Sequence, residues 1–563
     1  QGSSGGPQSY INLDFVESTE FSTGGFGVRY GDRLSSVLSL DLKEGRRDRI
    51  GGKATLAATQ FGLDVEGPLT SDGSFLFSAR RSYLDFIFKA NGFGFVPEYW
   101  DFLGKAVYEP SPNNKITLLG IAALDRTNFF NDTKENLYNN SQILGNTQNQ
   151  AVAGLSWRHV FKGGFSNLTL SQTLVDYKLE QTDTLQQTIF KNNSLEQEIA
   201  LTENLVYNFT PNTEATFGAQ GKLVRFNADL YLPPFRDYFG NQLSVNTTYD
   251  TLGVKAATWL QVSHYFPQLK VILGTRLNYF NLINDNLSFS PRLALKYSFN
   301  NRTSVKGSVG LYHQAPSYIW TVSHEQNRDL KFIQVRQYIL GFEQLLSEDT
   351  KFSVEAFFKD YKNYPVSETR PYLVLSNTGA GFGGSQSGFA SFGLDPLASD
   401  GTGWSRGIEL FAQKKFSESP FYGTGSLTFS QTEFTALDGV SRPGSYDQRW
   451  IFNIGGGYVL NDIWEFNAKF RFFTGRPYTP FDPGLTKSPQ NYNSERVPAN
   501  HALDVRVERR WYFDNIMMIT YIDVQNAYDY EFRGMPRYDA FKQKIENMNS
   551  IGILPSLGIG LMF

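Results

Sequence analysis

The 563-residue chain contains no cysteine. Disulfide frameworks, thiolate zinc sites, iron–sulfur clusters and cysteine nucleophiles are therefore all excluded. Charge is sparse, with 19% of residues Asp, Glu, Lys or Arg, against about 25% in ordinary soluble domains. The 52 basic and 55 acidic side chains nearly cancel. No cationic face is left over for a polynucleotide, and no nucleic-acid partner is expected. Long apolar runs are missing as well: residues 116–124, ITLLGIAAL, are about half of the ~18 a membrane-spanning helix needs. No basic, apolar leader follows Gln1, so any export signal is expected to have been removed from this form.

What the chain does have is aromatic residues, 15% of the total, and a persistent period of two. Period two puts alternate side chains on opposite faces of a strand. In residues 291–299, Leu293, Leu295, Tyr297 and Phe299 share one face, with Arg292, Ala294, Lys296 and Ser298 on the other. A polar turn at Asn300–Arg302 follows, and then Val305, Val309 and Leu311 oppose Lys306, Ser308 and Gly310. Residues 269–279 repeat the pattern, with Ile272 the one exception.

A sandwich would alternate in the same way, but it has little reason to sort its connections by length. Here short polar turns recur near residues 71, 111, 163, 211, 267, 300, 348, 418, 461 and 514. Between them lie long Gly/Asn/Pro-rich segments at 127–150, 227–250, 313–331, 362–405, 475–500 and 529–550, all expected to be loops. Short turns at one rim and long loops at the other characterise an outer-membrane barrel. Ten turns joining two strands each, plus a first and a last strand, predict an all-β, transmembrane antiparallel β-barrel of about 22 strands. The last strand alternates Leu557, Ile559, Leu561 and Phe563 against Ser556, Gly558, Gly560 and Met562. One place resists: alternation from Ser74 to Tyr83 would turn Arg81 into lipid, at a cost of ~2–4 kcal/mol near the midplane. A bulge at Arg80–Arg81 is expected, or else a position for Arg81 above the apolar band.

Residues 1–45 lack a lipid-compatible band. A barrel this wide is open unless something fills it, and a segment directly before the first strand is the economical filler. Within it, FVESTEFSTGGFGVRYGDRLSSVLSL, carrying Gly24, Gly25, Tyr30, Gly31, Asp32 and Arg33, resembles the end of the plug domain of TonB-dependent outer-membrane receptors. GSFLFSARRSYLDFIF resembles an early barrel hairpin of one branch of that family, and the stretches RWIFNIGGGYVLNDIWEFNAKFRFFTGRPYTP, HALDVRVERRWYF and DVQNAYD resemble its closing strands. The resemblance implies residues 1–45 as the C-terminal part of a plug, residues 46–563 as the barrel, an outer-membrane location, and import energised by a TonB complex. A complete plug in that family is longer and begins with a TonB-contacting box. Neither that box nor the earlier plug stands in this sequence. The expectation is that the chain lacks part of the mature protein, that another chain completes the plug, or that the plug has been lost.

Catalytic chemistry is not apparent. His159, His264, His313, His324 and His501 have no metal-ligand spacing, His324-Glu325 lacks a second His, and neither a phosphate loop nor a nucleophile elbow occurs. No metal, no cofactor and no enzymatic activity are expected, although His313 at a strand end is the one suggestive position. Gly383 and Gly384 read as loop flexibility. Tyr99, Trp100, Trp320, Tyr372, Phe382, Phe389 and Trp404 are candidates for an aromatic ligand-binding surface, or alternatively for interface anchoring and loop packing. Arg80, Arg276, Arg292, Lys296 and Lys306 are expected to face the lumen, solvated or paired with Asp14, Glu17 or Asp32, where they could also bias transport toward anions. Three readings compete: a plugged importer, a passive pore, and a scaffold docking surface lipoproteins or other envelope subunits. Membrane lipid and lipopolysaccharide are the surrounding partners.

Overall fold

The computed structural model describes residues 10–57, 60–83, 94–236, 238–376, 389–539, 541–547 and 552–563. From Gly51 onward each wall strand pairs antiparallel with the next, and the last, Leu554–Met562, pairs back onto Gly51–Ala57. The ring holds 22 strands that cross the wall. The three-residue Ser441–Pro443 only extends the loop end of Phe421–Thr435, which also pairs directly with Trp450–Val459. Closure leaves no open edge, the condition for a strand-built wall to stand in hydrocarbon with every backbone group paired. Among the described residues no helix is long and apolar enough to cross a membrane.

All ten expected turns are present, two to six residues long. Asparagine side chains fold two of them back on themselves. The Asn300 carbonyl oxygen accepts the Arg302 and Thr303 amides, both at 2.8 Å, and Asn461 accepts those of Ile463 and Trp464 at 2.9 Å. The alternation also holds: Leu273 and Leu295 are 60% and 41% exposed on the outer face, whereas Arg276 and Arg292 are buried on the inner one.

One expectation needs correction, and another resolves between its two alternatives. Residues 227–236 and 242–250 are strand and not loop, because Thr188–Thr210, Thr213–Arg236 and Gln242–Tyr265 run for 23, 24 and 24 residues. About 10 residues cross the bilayer, so the rest, some 13 residues or roughly 40 Å along the strand, stands in water. Its outer face is polar there, with Arg225 gripping Asp250 at 3.1 and 2.8 Å and Lys191 reaching Asp229 at 2.7 Å, and that polarity imitates a loop in the sequence. Of the two alternatives expected for Arg81, a bulge or a position above the apolar band, the bulge is absent. Pairing runs unbroken through Phe61, Arg81 and Trp100, so Arg81 stays on the outer face at the loop end of Gly73–Ser82. There Glu98 lies 3.6 Å away and the Trp100 ring 5.3 Å away.

The principal core sits inside the loop-side mouth rather than within the wall. Long connections fold inward against the tall strands, and Phe190 stacks on Phe389 at 4.4 Å with Phe392, Trp320, Tyr318 and Phe226 around it. Leu273 meets lipid at mid-strand, so Leu273→Arg is expected to destabilise the inserted barrel by ~2–4 kcal/mol, measured by reversible unfolding in bilayers, while the same change at the rim residue Phe299 costs ~0–1 kcal/mol.

Candidate functional site

Residues 10–48 lie inside the ring, built around a two-stranded sheet of Val16–Ser22 and Val37–Leu42. Inward barrel side chains hold this segment mainly by its backbone. Arg276 donates to the Val28 and Arg29 carbonyls, both at 3.2 Å, and Arg292 to those of Phe26 and Gly27 at 3.0 and 2.6 Å. Lys359 donates to the carbonyls of Thr23 at 2.7 Å and Ser35 at 3.2 Å, and Gln337 to that of Leu34. Nearer the first strands, Asn12 reaches Asp64 at 2.7 Å and Ser78 at 2.9 Å, while Lys53 pairs with Asp14 at 2.7 Å.

Such close approach explains two glycines. Gly25 adopts φ +65°, and a Cβ there would stand 2.6 Å from the Ser308 hydroxyl; a Cβ on Gly31 would collide with the Arg276 guanidinium. Gly24 is crowded in the same way by Ile339 and Gln337. Tyr30 carries the Arg29 guanidinium 4.5 Å above its ring, and Arg33 donates to the Asp32 carbonyl at 2.7 Å.

Above this loop lies a cavity of about 880 Å³, floored by Arg29–Leu34 and roofed by Tyr318 and Trp320. Two of its carboxylates are matched to lysines. Asp32 takes Lys255 at 2.9 Å and the Ala315 amide at 2.7 Å; Glu198 takes Lys222 at 3.1 Å and the Tyr318 hydroxyl. Burial pushes the Asp32 carboxyl up, but Lys255 and the Ala315 amide outweigh it and bring it down to about 2. Burial, reinforced by Glu198, pushes the Tyr318 phenol far up, so it donates a proton and does not ionise. The cavity combines aromatic rings with paired charges, a lining chemically compatible with a partly apolar solute that carries polar groups.

The aromatic and charged candidates divide among the mouth core, the lumen and the outer wall. Trp320 and Phe389 are buried in the mouth core, Trp320 donating to the Phe392 carbonyl at 3.1 Å. Trp100 and Trp404 stand on the outer wall beside Arg81 and Arg406, as alternation requires, and do not face the lumen. Tyr99 faces inward and donates to Gln60 at 2.8 Å; Tyr372 packs on Tyr492 at 5.1 Å. Phe382, Gly383 and Gly384 lie outside the described residues. Arg80 pairs with Asp101 at 2.7 Å, Lys296 with Glu343 at 3.6 Å and Lys306 with Glu355 at 3.0 Å, all barrel carboxylates and not those of the inner segment. His313 bonds Ser290 at 2.8 Å. Among the described residues no cluster of three metal-ligating side chains occurs.

Sequence reasoning passed over Lys222, Lys255, Glu198 and Tyr318. Lys222 and Lys255 face each other directly across a hairpin, a like-charge pair that needs nearby carboxylates, and that pairing was the available signal. Because the folded Asp32 carboxyl sits below its ordinary 3.8, its contribution to holding the loop is complete above pH ~4 and is lost as pH falls toward 2. With no native cysteine, Ser36→Cys takes a single spin label. The label is expected to gain mobility between pH 4 and 2, and Asp32→Asn to give the mobile spectrum at every pH.

A family model described as TonB dependent receptor-like, beta-barrel matches residues 68–527. No curated protein matches the sequence. Among solved structures, the chain is similar to the siderophore receptor PirA from Acinetobacter baumannii, with TM-score 0.73 and 15% identity over 98% of this chain and 86% of that one. It is also similar to the ferric enterobactin receptor PfeA from Pseudomonas aeruginosa, with TM-score 0.74 and 13% identity over 99% and 86%. The copper transporter OprC aligns with TM-score 0.70 and 11% identity over 100% and 88%. At such identities these structures establish the fold alone, a large closed antiparallel β-barrel. With its family match spanning most of a closed 22-strand ring, the chain is an integral outer-membrane protein that belongs to the TonB-dependent receptor-like β-barrels.

Proposed function

We propose that this barrel imports a solute too large for free diffusion, capturing it in the cavity between the Arg29–Leu34 loop and the mouth core. Residues 10–48 act as the C-terminal part of a plug, and a TonB complex supplies the energy that moves it. The observation that carries this reading is the pair Arg276 and Arg292, which clamp four consecutive carbonyls from Phe26 to Arg29 across the lumen. Charge-assisted bonds are stronger than neutral ones, so these hold the segment firmly against the wall. The aromatic roof supplies contact area, and the paired charges of Asp32, Lys255, Glu198 and Lys222 supply orientation.

A second reading, the passive pore, is favoured by one feature. Among the described residues, 12–48 form no hydrogen bond with the wall from Phe421 to Gln525, so that side of the lumen is lined by the barrel's own charges, including Lys469, Asp504 and Arg506. Planar-bilayer recordings separate the two. The import reading expects a closed channel that opens when Arg276→Ala and Arg292→Ala are combined; a steady large current through the unaltered protein overturns it and leaves the pore. In the receptor reading, tryptophan fluorescence titrations lose about tenfold in affinity when Lys255→Ala unseats Asp32 and distorts the cavity floor, for whichever solute is imported.

A further inference from the structure

Closure removes free strand edges only where neighbouring strands match in height, and at one place on the loop side they do not. Gln242–Tyr265 pairs with Thr213–Arg236 on one flank from Gln242 to His264, but on the other flank Leu269–Phe280 stops opposite Lys255. Above that level the second flank of the longer strand has no paired strand among the described residues. Backbone direction alternates along a strand, and Val254 fixes the sense. It faces the side of the shorter strand, donating to the Asn281 side chain at 2.6 Å and accepting from the Asn281 amide at 3.2 Å. Asn246, Thr248, Asp250 and Leu252 therefore turn their amides and carbonyls the same way, and among the described residues no hydrogen bond reaches those groups. All four residues are exposed. About 23 Å of strand edge thus stands open in water above the bilayer.

We infer that this edge is a docking site for an extended segment of another polypeptide outside the cell, which adds to the sheet as an antiparallel strand. Proteins normally blunt such an edge with lysine, proline, a bulge or a covering segment. Elsewhere this chain does so itself, since Ser441–Pro443 covers the rim of Phe421–Thr435 from Glu433 to Thr435. From Gln242 to Val254 there is neither proline nor lysine, and the valine, threonine and tyrosine there favour the extended form. The strand is also held ready: Tyr249 donates to the Ser323 carbonyl at 3.1 Å, and Val245 and Tyr249 pack on the mouth core. An added strand sets alternate side chains against that apolar side and the others in water beside Asp250. Asp250 is the single charged residue from Gln242 to Val254, and it stays half-exposed beside Arg225. The partner is thus a segment that alternates apolar and polar residues and carries a basic side chain opposite Asp250. A second copy of this chain does not fit. Two barrels in one membrane run these strands in the same direction, and a twofold axis along the membrane normal brings identical residues to equal height, whereas parallel pairing requires a one-residue stagger. None of the four edge residues lines the lumen cavity, so the site is independent of the import reading.

The test is residue-resolved hydrogen exchange of the full chain in detergent, alone and with a ten-residue peptide that alternates valine and threonine, lysine replacing the third threonine. In the protein alone, the amides of Asn246, Thr248, Asp250 and Leu252 are expected to exchange at least about tenfold faster than those of Thr247, Tyr249 and Thr251, which face the paired strand. The peptide slows the edge amides by about tenfold, and N-methylating one alternate set of its amides abolishes the effect while methylating the other set spares it. Thr248→Pro removes a donor that points away from the sheet, a change an edge strand tolerates, and weakens peptide binding by about tenfold. Asp250→Lys moves the preference from the lysine peptide to one with glutamate in its place. Unchanged electrophoretic mobility of unheated samples certifies each folded barrel. Edge amides already protected in the protein alone, exchange unaltered by the peptide, or equal binding by Thr248→Pro overturns the proposal, as does self-association in ultracentrifugation that the peptide competes away.

Discussion

Every other feature depends on the antiparallel pairing of Leu554–Met562 with Gly51–Ala57, sealed where Gly52 and Phe563 exchange amide-to-carbonyl bonds at 3.0 and 3.1 Å. In hydrocarbon an unpaired backbone donor or acceptor costs several kcal/mol, so an open sheet of this size could not remain in the membrane. Once the ring is closed, its circumference is fixed by strand number, and 22 strands enclose more space than their own side chains can fill. A wide polar lumen follows, and with it the need for something to satisfy the inward charges.

That need is met in two ways that leave different traces. Lys296, Lys306 and Arg80 find carboxylates on neighbouring strands, so the wall neutralises itself. Arg276 and Arg292 instead spend their donors on the carbonyls of residues 26–29. Backbone recognition explains why the segment between its two strands is rich in glycine: at Gly25 and Gly31 any side chain would fill the space that the arginines and Ser308 occupy. The loop is thus held by main chain and by Asp32, while Arg29 and Arg33 line the cavity above.

The mouth follows a third principle. Strands of 23 and 24 residues rise far above the bilayer, and their inner faces are no longer filled by the lumen segment. Long connections fold in to cover them, which is why Phe190, Phe389, Phe392 and Trp320 form a core of soluble-protein character over a membrane barrel. The cavity lies at the junction of these two fillings, one polar and held by arginines, the other aromatic.

Period-two alternation and turn chemistry were enough to determine the class, the strand number and the outward or inward sense of residues such as Leu273 and Arg292, because each is a local property of one or two strands. Family-like runs such as that around Tyr30-Gly31-Asp32-Arg33 were legible for the same reason. Strand height above the membrane was not, since a polar ladder in water and a polar loop have the same composition; residues 227–250 illustrate it. Nor was the fate of the aromatics: Trp320 and Trp404 look alike in sequence, yet one is buried in the mouth and the other faces out beside Arg406. Partners such as Asp32 and Lys255, 223 residues apart, meet only because the ring closes around the segment, and no short stretch of sequence encodes a contact that closure creates.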